Sequence, residues 1–372
     1  MFTKFNLKDY NFKLLVLVMT AITIGIVVIN SADSSFTVRQ IVGAVMGLFV
    51  MLFVSVLNYD FICKFANLFY IINIVILLMV LLFGVTVNYA KRWIVIGGAN
   101  GIQFQPSEFS KIFMIIFAAT FLGKYKDEGG INTFKCLFFY AVACGLSLGL
   151  IVLEPDLSTT ICLTLVLVTI LYISGLSYKI IGIALLICIP LAGSFLWYIQ
   201  LPDQALLQDY QVRRILQFIY PSQYGTEYSQ QNNSIMAIGS GQLNGKGLNT
   251  STIATVKDAN FISEQQTDFI FSVIGEELGF IGSVIIIAII LLIVLQCIKI
   301  ARCAKDTKGM LLASGVAVLI AYQSFINIAV ATGVLPNTGI PLPFISYGLS
   351  SLLSISIGIG IVLNVSLQRS KY

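Results

Sequence analysis

Residues 264–282, EQQTDFIFSVIGEELGFIG, set Asp268, Glu276 and Glu277 at the head of a long apolar run. Carboxylates beside hydrocarbon are costly, and those that occur usually mark function. An aspartate here can take a proton from a hydroxyl, or hold a hard cation. It can equally cap the helix that follows. Glu276 and Glu277 are adjacent, so on a helix they point about 100° apart. At least one is expected to be structural, with packing or water-facing roles for the pair. A second group lies in AKRWIVIGGANGIQFQPSEFSK, residues 90–111. Pro106 followed by Ser107 and Glu108 reads as a helix start. Glu108 and Lys111, three apart, share one helical face and can pair. The pair either carries a polar stripe into the membrane or holds a lysine ready for an anion.

Other stretches carry related chemistry. In EPDLSTT (154–160), Pro155 fits a first turn and Asp156 a cap, leaving Glu154 without an assigned role. In AIGSGQLNGKGL (237–248), glycines 239, 241, 245 and 247 surround Lys246. Such a loop can offer N–H groups to phosphate, or be a flexible turn. Val212, Ile215, Leu216 and Ile219 recur at helical spacing beside Arg213 and Arg214, as in a helix lying on a membrane surface. VLPNTGIPLPFISYGLSS (334–351) has the prolines and glycines of a stiff turn.

The elements that must position these residues are membrane spans. Only 10% of the 372 residues are charged and 58% are hydrophobic, against about 25% charged in soluble domains. Mean hydropathy is +0.93. The sequence contains no histidine, which excludes Ser-His-Asp triads, His-ligated zinc and imidazole bases. The cysteines show no metal-ligand spacing, and the longest polar loop has none, so no disulfide framework is expected. Ten apolar stretches have the length to cross a bilayer: roughly 14–30, 40–57, 67–87, 107–123, 135–153, 157–175, 180–199, 269–298, 310–335 and 344–365. The expectation is an all-α integral membrane protein, one ten-span domain over residues 1–372, with a long extracellular loop, 200–268, between spans 7 and 8. With both termini inside, 14 of the 22 Lys and Arg lie on the inner side. Of the other eight, four fall in the long loop, where the positive-inside rule does not count them. The termini are therefore expected to be cytoplasmic.

Arg39, Lys91, Arg92 and Lys111 then lie on the side where basic residues are disfavoured. Each alone can snorkel at a helix end. Together with Arg213 and Arg214 they suggest an outward-facing anion site. Carboxylates, cations and a surface helix at headgroup depth suit a large, lipid-anchored, phosphate-bearing substrate in the outer leaflet. A lipid flippase would instead place ionisable groups near the bilayer midplane, where this sequence is almost free of charge. A non-enzymatic scaffold for the elongation or division machinery is the other alternative, and it would make Asp268 dispensable. Nucleic acid is not expected as a partner.

KRWIVIGG, QPSEFSK, EPDLST, YQVRRI, IMAIGSGQLNGKGL, EQQTDFIFSVIGEELGFIG and TGIPLPFISYG occur in this order along almost the whole chain. Together they resemble the SEDS family, the shape, elongation, division and sporulation proteins. The QNNSIMAIGSGQLNGKG stretch leans toward its RodA branch. Departures are Leu349 after SYG, Asn337 in LPNTG, and residues 249–262. The resemblance implies a ten-span peptidoglycan glycosyltransferase that polymerises lipid II at the outer face of the bacterial cytoplasmic membrane. It also implies a class B penicillin-binding protein, a transpeptidase, as partner. Carried over by motif, Asp268 is the essential aspartate, as general base or as ligand of a divalent cation such as Mg or Mn. Lys111, Arg39 and Arg214 would bind diphosphate, with Glu108 fixing Lys111. Arg92 and Lys246 complete the expected substrate-binding set.

The charge asymmetry generates the first prediction. In a cysteine-free background, a cysteine at position 240 is labelled by an impermeant thiol reagent in intact cells, and one at 305 is protected. The opposite pattern inverts the topology.

Overall fold

A computed structural model of the chain describes residues 10–87, 90–96, 102–200, 212, 215–216, 219–220, 229–249 and 264–368. Its helices are α1 (Phe12–Ala32), α2 (Thr37–Val56), α3 (Tyr59–Lys64), α4 (Ala66–Phe83), α5 (Pro106–Asp127), α6 (Phe134–Leu153), α7 (Leu157–Gly175), α8 (Tyr178–Ile199), α9 (Ser229–Ser240), α10 (Ile270–Arg302), α11 (Thr307–Ala331) and α12 (Leu349–Leu367). All except the short α3 and α9 are long and apolar enough to cross a membrane, ten among the described residues. The expected number of spans is met, with ends moved by a few residues. The caps explain several starts. Asn11, Thr133, Asp156 and Asp306 each accept a backbone N–H of the turn they open. Pro106 sits at the first position of α5, where a missing N–H costs nothing.

Most residues of α5, α11 and α12 are buried, and these helices form the interior. Helix α5 packs on α4, α7, α11 and α12; α2 lies along α12, and α10 lies against α1 and α11. The surrounding helices turn large apolar side chains outward, Phe49, Leu82, Phe83 and Leu186 among them. That pattern suits hydrocarbon as solvent. Among its described residues α8 buries almost nothing, and it carries Pro190 inside the helix.

Three features lie beyond the expected loops. Residues 85–104 contain a three-stranded antiparallel sheet, β1 (Val85–Val87), β2 (Ala90–Ile96) and β3 (Ile102–Phe104). On β2, Lys91 Nζ donates to the Leu81 and Leu82 carbonyls at 2.7 and 3.0 Å, capping the end of α4. Helix α9 occupies a stretch read as loop. It docks through polar side chains, Gln231 Nε2 donating to the Val330 and Leu335 carbonyls and Ser234 Oγ to the Ala331 carbonyl.

The third feature is a break in α10. Gly279 has φ 65° and ψ −163° inside an otherwise helical run. The freed backbone is satisfied by residues 242–247. Lys246 and Gly247 N–H groups donate to the Glu276 and Glu277 carbonyls at 2.9 and 3.0 Å, while Phe280 and Ile281 donate to the Gln242 and Leu243 carbonyls. Glycine is required because the two backbones touch. A Cβ on Gly245 would stand 2.2 Å from the Glu277 carbonyl oxygen, and one on Gly279 would stand 2.3 Å from the Gly245 nitrogen.

Gly245→Ala therefore combines a left-handed φ, about 1–2 kcal/mol for a residue with Cβ, with overpacking of about 1–3 kcal/mol. Thermal unfolding in detergent should show a clear loss of stability. Gly149→Ala, where a Cβ meets nothing within 4 Å, should show none. Equal stability of the two variants would refute the close-packed junction.

Candidate active site

Glu108 and Lys111 lie in the first turns of α5. Lys111 Nζ donates to Glu108 Oε1 at 2.7 Å, with both side chains below 5% exposed. The same ammonium donates to Gln323 Oε1 on α11 at 3.2 Å. A buried ion pair persists only where good geometry and added hydrogen bonds offset desolvation. Here the amide of Gln323 supplies one of those bonds. Its Nε2 then donates to the Pro341 carbonyl at 3.1 Å, tying the pair to the loop between α11 and α12.

The QPSE and EPD motifs meet at Asp156. As the cap of α7 it accepts Thr159 N–H at 3.1 Å and the Thr159 hydroxyl at 2.9 Å. Gln105 Nε2 and Ser107 Oγ donate to Oδ2, which also takes the Thr159 hydroxyl, and Arg92 Nη1 stands 3.7 Å from Oδ1. Arg92 also donates to the Pro155 carbonyl. The capping role expected for Asp156 is thus observed. Arg92, expected to meet substrate, has its guanidinium on this turn instead. Glu154 closes α6 and is fully buried. Burial, reinforced by Asp156 and opposed by Arg92, raises its pKa to about 8.

Asp268 lies in the turn before α10 and is partly exposed. The cap position of that helix is Phe269, with no capping side chain, so the capping alternative for Asp268 is not the observed geometry. Its carboxylate lies beside Gly339, where an added Cβ would come within 3.1 Å of Oδ2. Four bonds join the two segments. Asn327 Nδ2 donates to the Asp268 and Ile340 carbonyls at 2.8 and 2.7 Å. Ser346 Oγ donates to the Thr267 carbonyl at 2.6 Å, and Tyr347 N–H to the Gln266 carbonyl at 2.9 Å. The stiff GIPLPF loop therefore has a definite task, which is to form a wall against Asp268.

The other two acids of the opening stretch are interior. Glu276 pairs with Lys246 at 2.7 Å and Glu277 accepts from Ser31 Oγ at 2.6 Å. Their divergence on the helix is as expected, but neither faces water. Lys246, expected at phosphate, neutralises Glu276, and its backbone N–H belongs to the Gly279 junction. Arg39 is exposed in the first turn of α2. Arg214, Arg213 and most of the expected surface helix lie outside the described residues. Sequence reasoning missed Gln323, Asn327 and Ser346. The signal for Gln323 and Asn327 is two amides four residues apart in an apolar run, hence on one face; Ser346 carried none.

The described residues contain no group of three or more Asp, Glu, His or Cys placed to hold a metal ion. Asp268 offers one carboxylate, which fits a hard cation such as Mg²⁺ in the mode where substrate phosphates complete the shell. A cleft of about 510 Å³ lined by Lys124, Tyr125 and Lys308 lies at the opposite end of α5 and has no part in this site.

The ion pair makes a thermodynamic prediction. Glu108→Gln or Lys111→Met alone leaves a buried charge uncompensated, at a cost of about 3–5 kcal/mol. The double variant should be less destabilised than the sum of the singles, as measured by thermal unfolding. Additive losses would mean that the two side chains do not stabilise one another.

The family model described as "Cell cycle protein", covering FtsW, RodA and SpoVE, matches residues 8–371. The chain is 34% identical to a probable peptidoglycan glycosyltransferase FtsW of Trichlorobacter lovleyi over 97% of its length and 94% of that protein. It is 33% identical to the peptidoglycan glycosyltransferase MrdB of Escherichia coli, over 96% and 93% of the two chains. A solved chain from a peptidoglycan synthase complex, described as coordinating polymerization and crosslinking, superposes with TM-score 0.80 at 26% identity, covering 96% of this chain and 97% of that one. The motifs, the ten-span fold and these matches agree: this chain belongs to the FtsW/RodA/SpoVE family of multi-pass membrane proteins.

Proposed function

We propose that this protein is a peptidoglycan glycosyltransferase that polymerises lipid II at the outer face of the bacterial cytoplasmic membrane, for cell elongation, division or sporulation. The observation that carries the reading is the placement of Asp268. Its carboxylate is partly exposed on a turn outside the helix and faces the wall formed by Gly339. The names of its relatives supply the reaction class. The glycan-synthesis partner is a transpeptidase of the penicillin-binding type, as the structural neighbour in a synthase complex suggests.

In this mechanism an acceptor sugar hydroxyl gives its proton to the Asp268 carboxylate as its oxygen bonds to the anomeric carbon of the donor. The anomeric carbon–oxygen bond to diphosphate breaks, and the electron pair leaves with the lipid diphosphate. With no histidine in the chain, a carboxylate is the available base. Arg39 and Arg214 receive the diphosphate. Lys111, the third cation of the expected set, is buried in its pair with Glu108 and held by Gln323. In the alternative role, Asp268 would hold a divalent cation such as Mg or Mn, which would activate the acceptor hydroxyl in place of the base.

Purified protein with lipid II, alone and with its transpeptidase, tests the reading. Polymer identifies an enzyme, inversion of the lipid without polymer a flippase, and neither a scaffold. Asp268→Asn keeps size and removes basicity, and should reduce polymerisation about 10²- to 10⁴-fold at normal membrane levels. Asp268→Glu should lose about 10²-fold through misplacement of roughly 1 Å. Near wild-type rates in the Asn variant would end the catalytic assignment.

A further inference from the structure

We propose that Gln323 and Asn327 are positioning residues that set the Lys111 charge and the Asp268 carboxylate in register on a single rigid helix. The proposal rests on the glycosyltransferase reading for its kinetic arm only. Both amides are fully buried in α11, in a stretch otherwise suited to apolar packing. Four residues apart, they share one face and are separated by about 6 Å of helix rise. Their bonds divide the work. Gln323 accepts from Lys111 through Oε1 and donates to Pro341 through Nε2. Asn327 donates to Ile340 on one segment and to Asp268 itself on the other.

All three bonds to carbonyls end on backbone, and that is why they can position. The direction of the Asp268 side chain follows from its own main chain, which Asn327 grips at the carbonyl. The opposing wall at Gly339 adjoins Ile340, gripped by the same amide nitrogen. One turn away Gln323 holds the next residue of that loop, Pro341, and the ammonium beneath it. A shift of α11 therefore moves the base, its wall and the cation together. A leucine or methionine of similar volume would fill the space and break that linkage. Among the described residues Asn327 Oδ1 is buried without a hydrogen-bond partner. The side chain is tied to both segments through its Nδ2 donors.

The two amides predict a separation of kinetic constants. Asn327→Leu should lower kcat about 10²-fold at unchanged KM, since a displacement of about 1 Å at a reacting group costs that much. Gln323→Glu places a second carboxylate beside Lys111, so it should raise KM for lipid II as well as lower kcat. Gln323→Met loses both of its bonds and should lower kcat and raise KM for lipid II. Hydrogen–deuterium exchange gives an arm independent of activity: in Asn327→Leu, residues 266–268 and 339–347 should exchange faster together while α5 is unchanged. Wild-type kcat in Asn327→Leu, or exchange that does not change in either segment, overturns the proposal. So does a uniform loss of activity that only follows a fall in thermal stability, with no split between kcat and KM. If wild-type protein makes no polymer but the exchange pattern is as expected, the glycosyltransferase reading fails and the positioning role stands.

Discussion

A charge pair buried among helices is the constraint around which the site end of this protein is arranged. Glu108 and Lys111 are almost inaccessible, and neither water nor lipid can solvate them there. Such a pair is tolerable only inside protein, so α5 must be the central helix, wrapped by α4, α7, α11 and α12. The same demand explains why α11, another interior helix, carries an amide where an apolar side chain would otherwise pack. The loop after α11 is then anchored by the far side of that amide. A cost incurred by two charges has fixed the position of a turn on another part of the chain.

The spans were legible because lipid imposes a coarse rule: every crossing segment must be apolar for about 20 residues and helical throughout. Ten such runs can be counted directly, and helix caps such as Asp156 and the Pro106 start follow from local chemistry. Helix α9 was not legible, because the face it buries includes Gln231 and Ser234, which hydrophobic periodicity scores as exposed. The sheet at residues 85–104 was hidden for a related reason: β2 carries Lys91 and Arg92 near its start, Lys91 bonded to the end of α4 and Arg92 to a carbonyl and a carboxylate more than sixty residues away.

Within the site, pairs close in sequence could be foreseen and pairs distant in sequence could not. Glu108–Lys111 follows from a spacing of three. Lys246–Glu276, thirty residues apart, depends on a junction that exists only because Gly279 leaves the helix. Lysine and glycine in a loop signal phosphate binding when read alone. Next to a broken helix, the same residues satisfy its carbonyls and neutralise its glutamate.

That junction also answers why three acids crowd the entrance to α10. Two of them stabilise the break: Glu276 is neutralised by Lys246, and Glu277 is held by Ser31 from α1. Both lie in a helical segment, where side-chain direction is dictated by the helix and all space is occupied. Asp268 precedes the helix, in a turn whose direction is set instead by Asn327 and the 339–347 loop. A carboxylate serving as a helix cap would have its oxygens directed to backbone N–H groups. Asp268 stands a residue before the cap position instead, with its Oδ2 beside Gly339 in the loop that follows α11. The difference between the structural acids and the proposed reactive one is therefore positional. The three share a charge, and only Asp268 lies where the helix has not yet determined its surroundings.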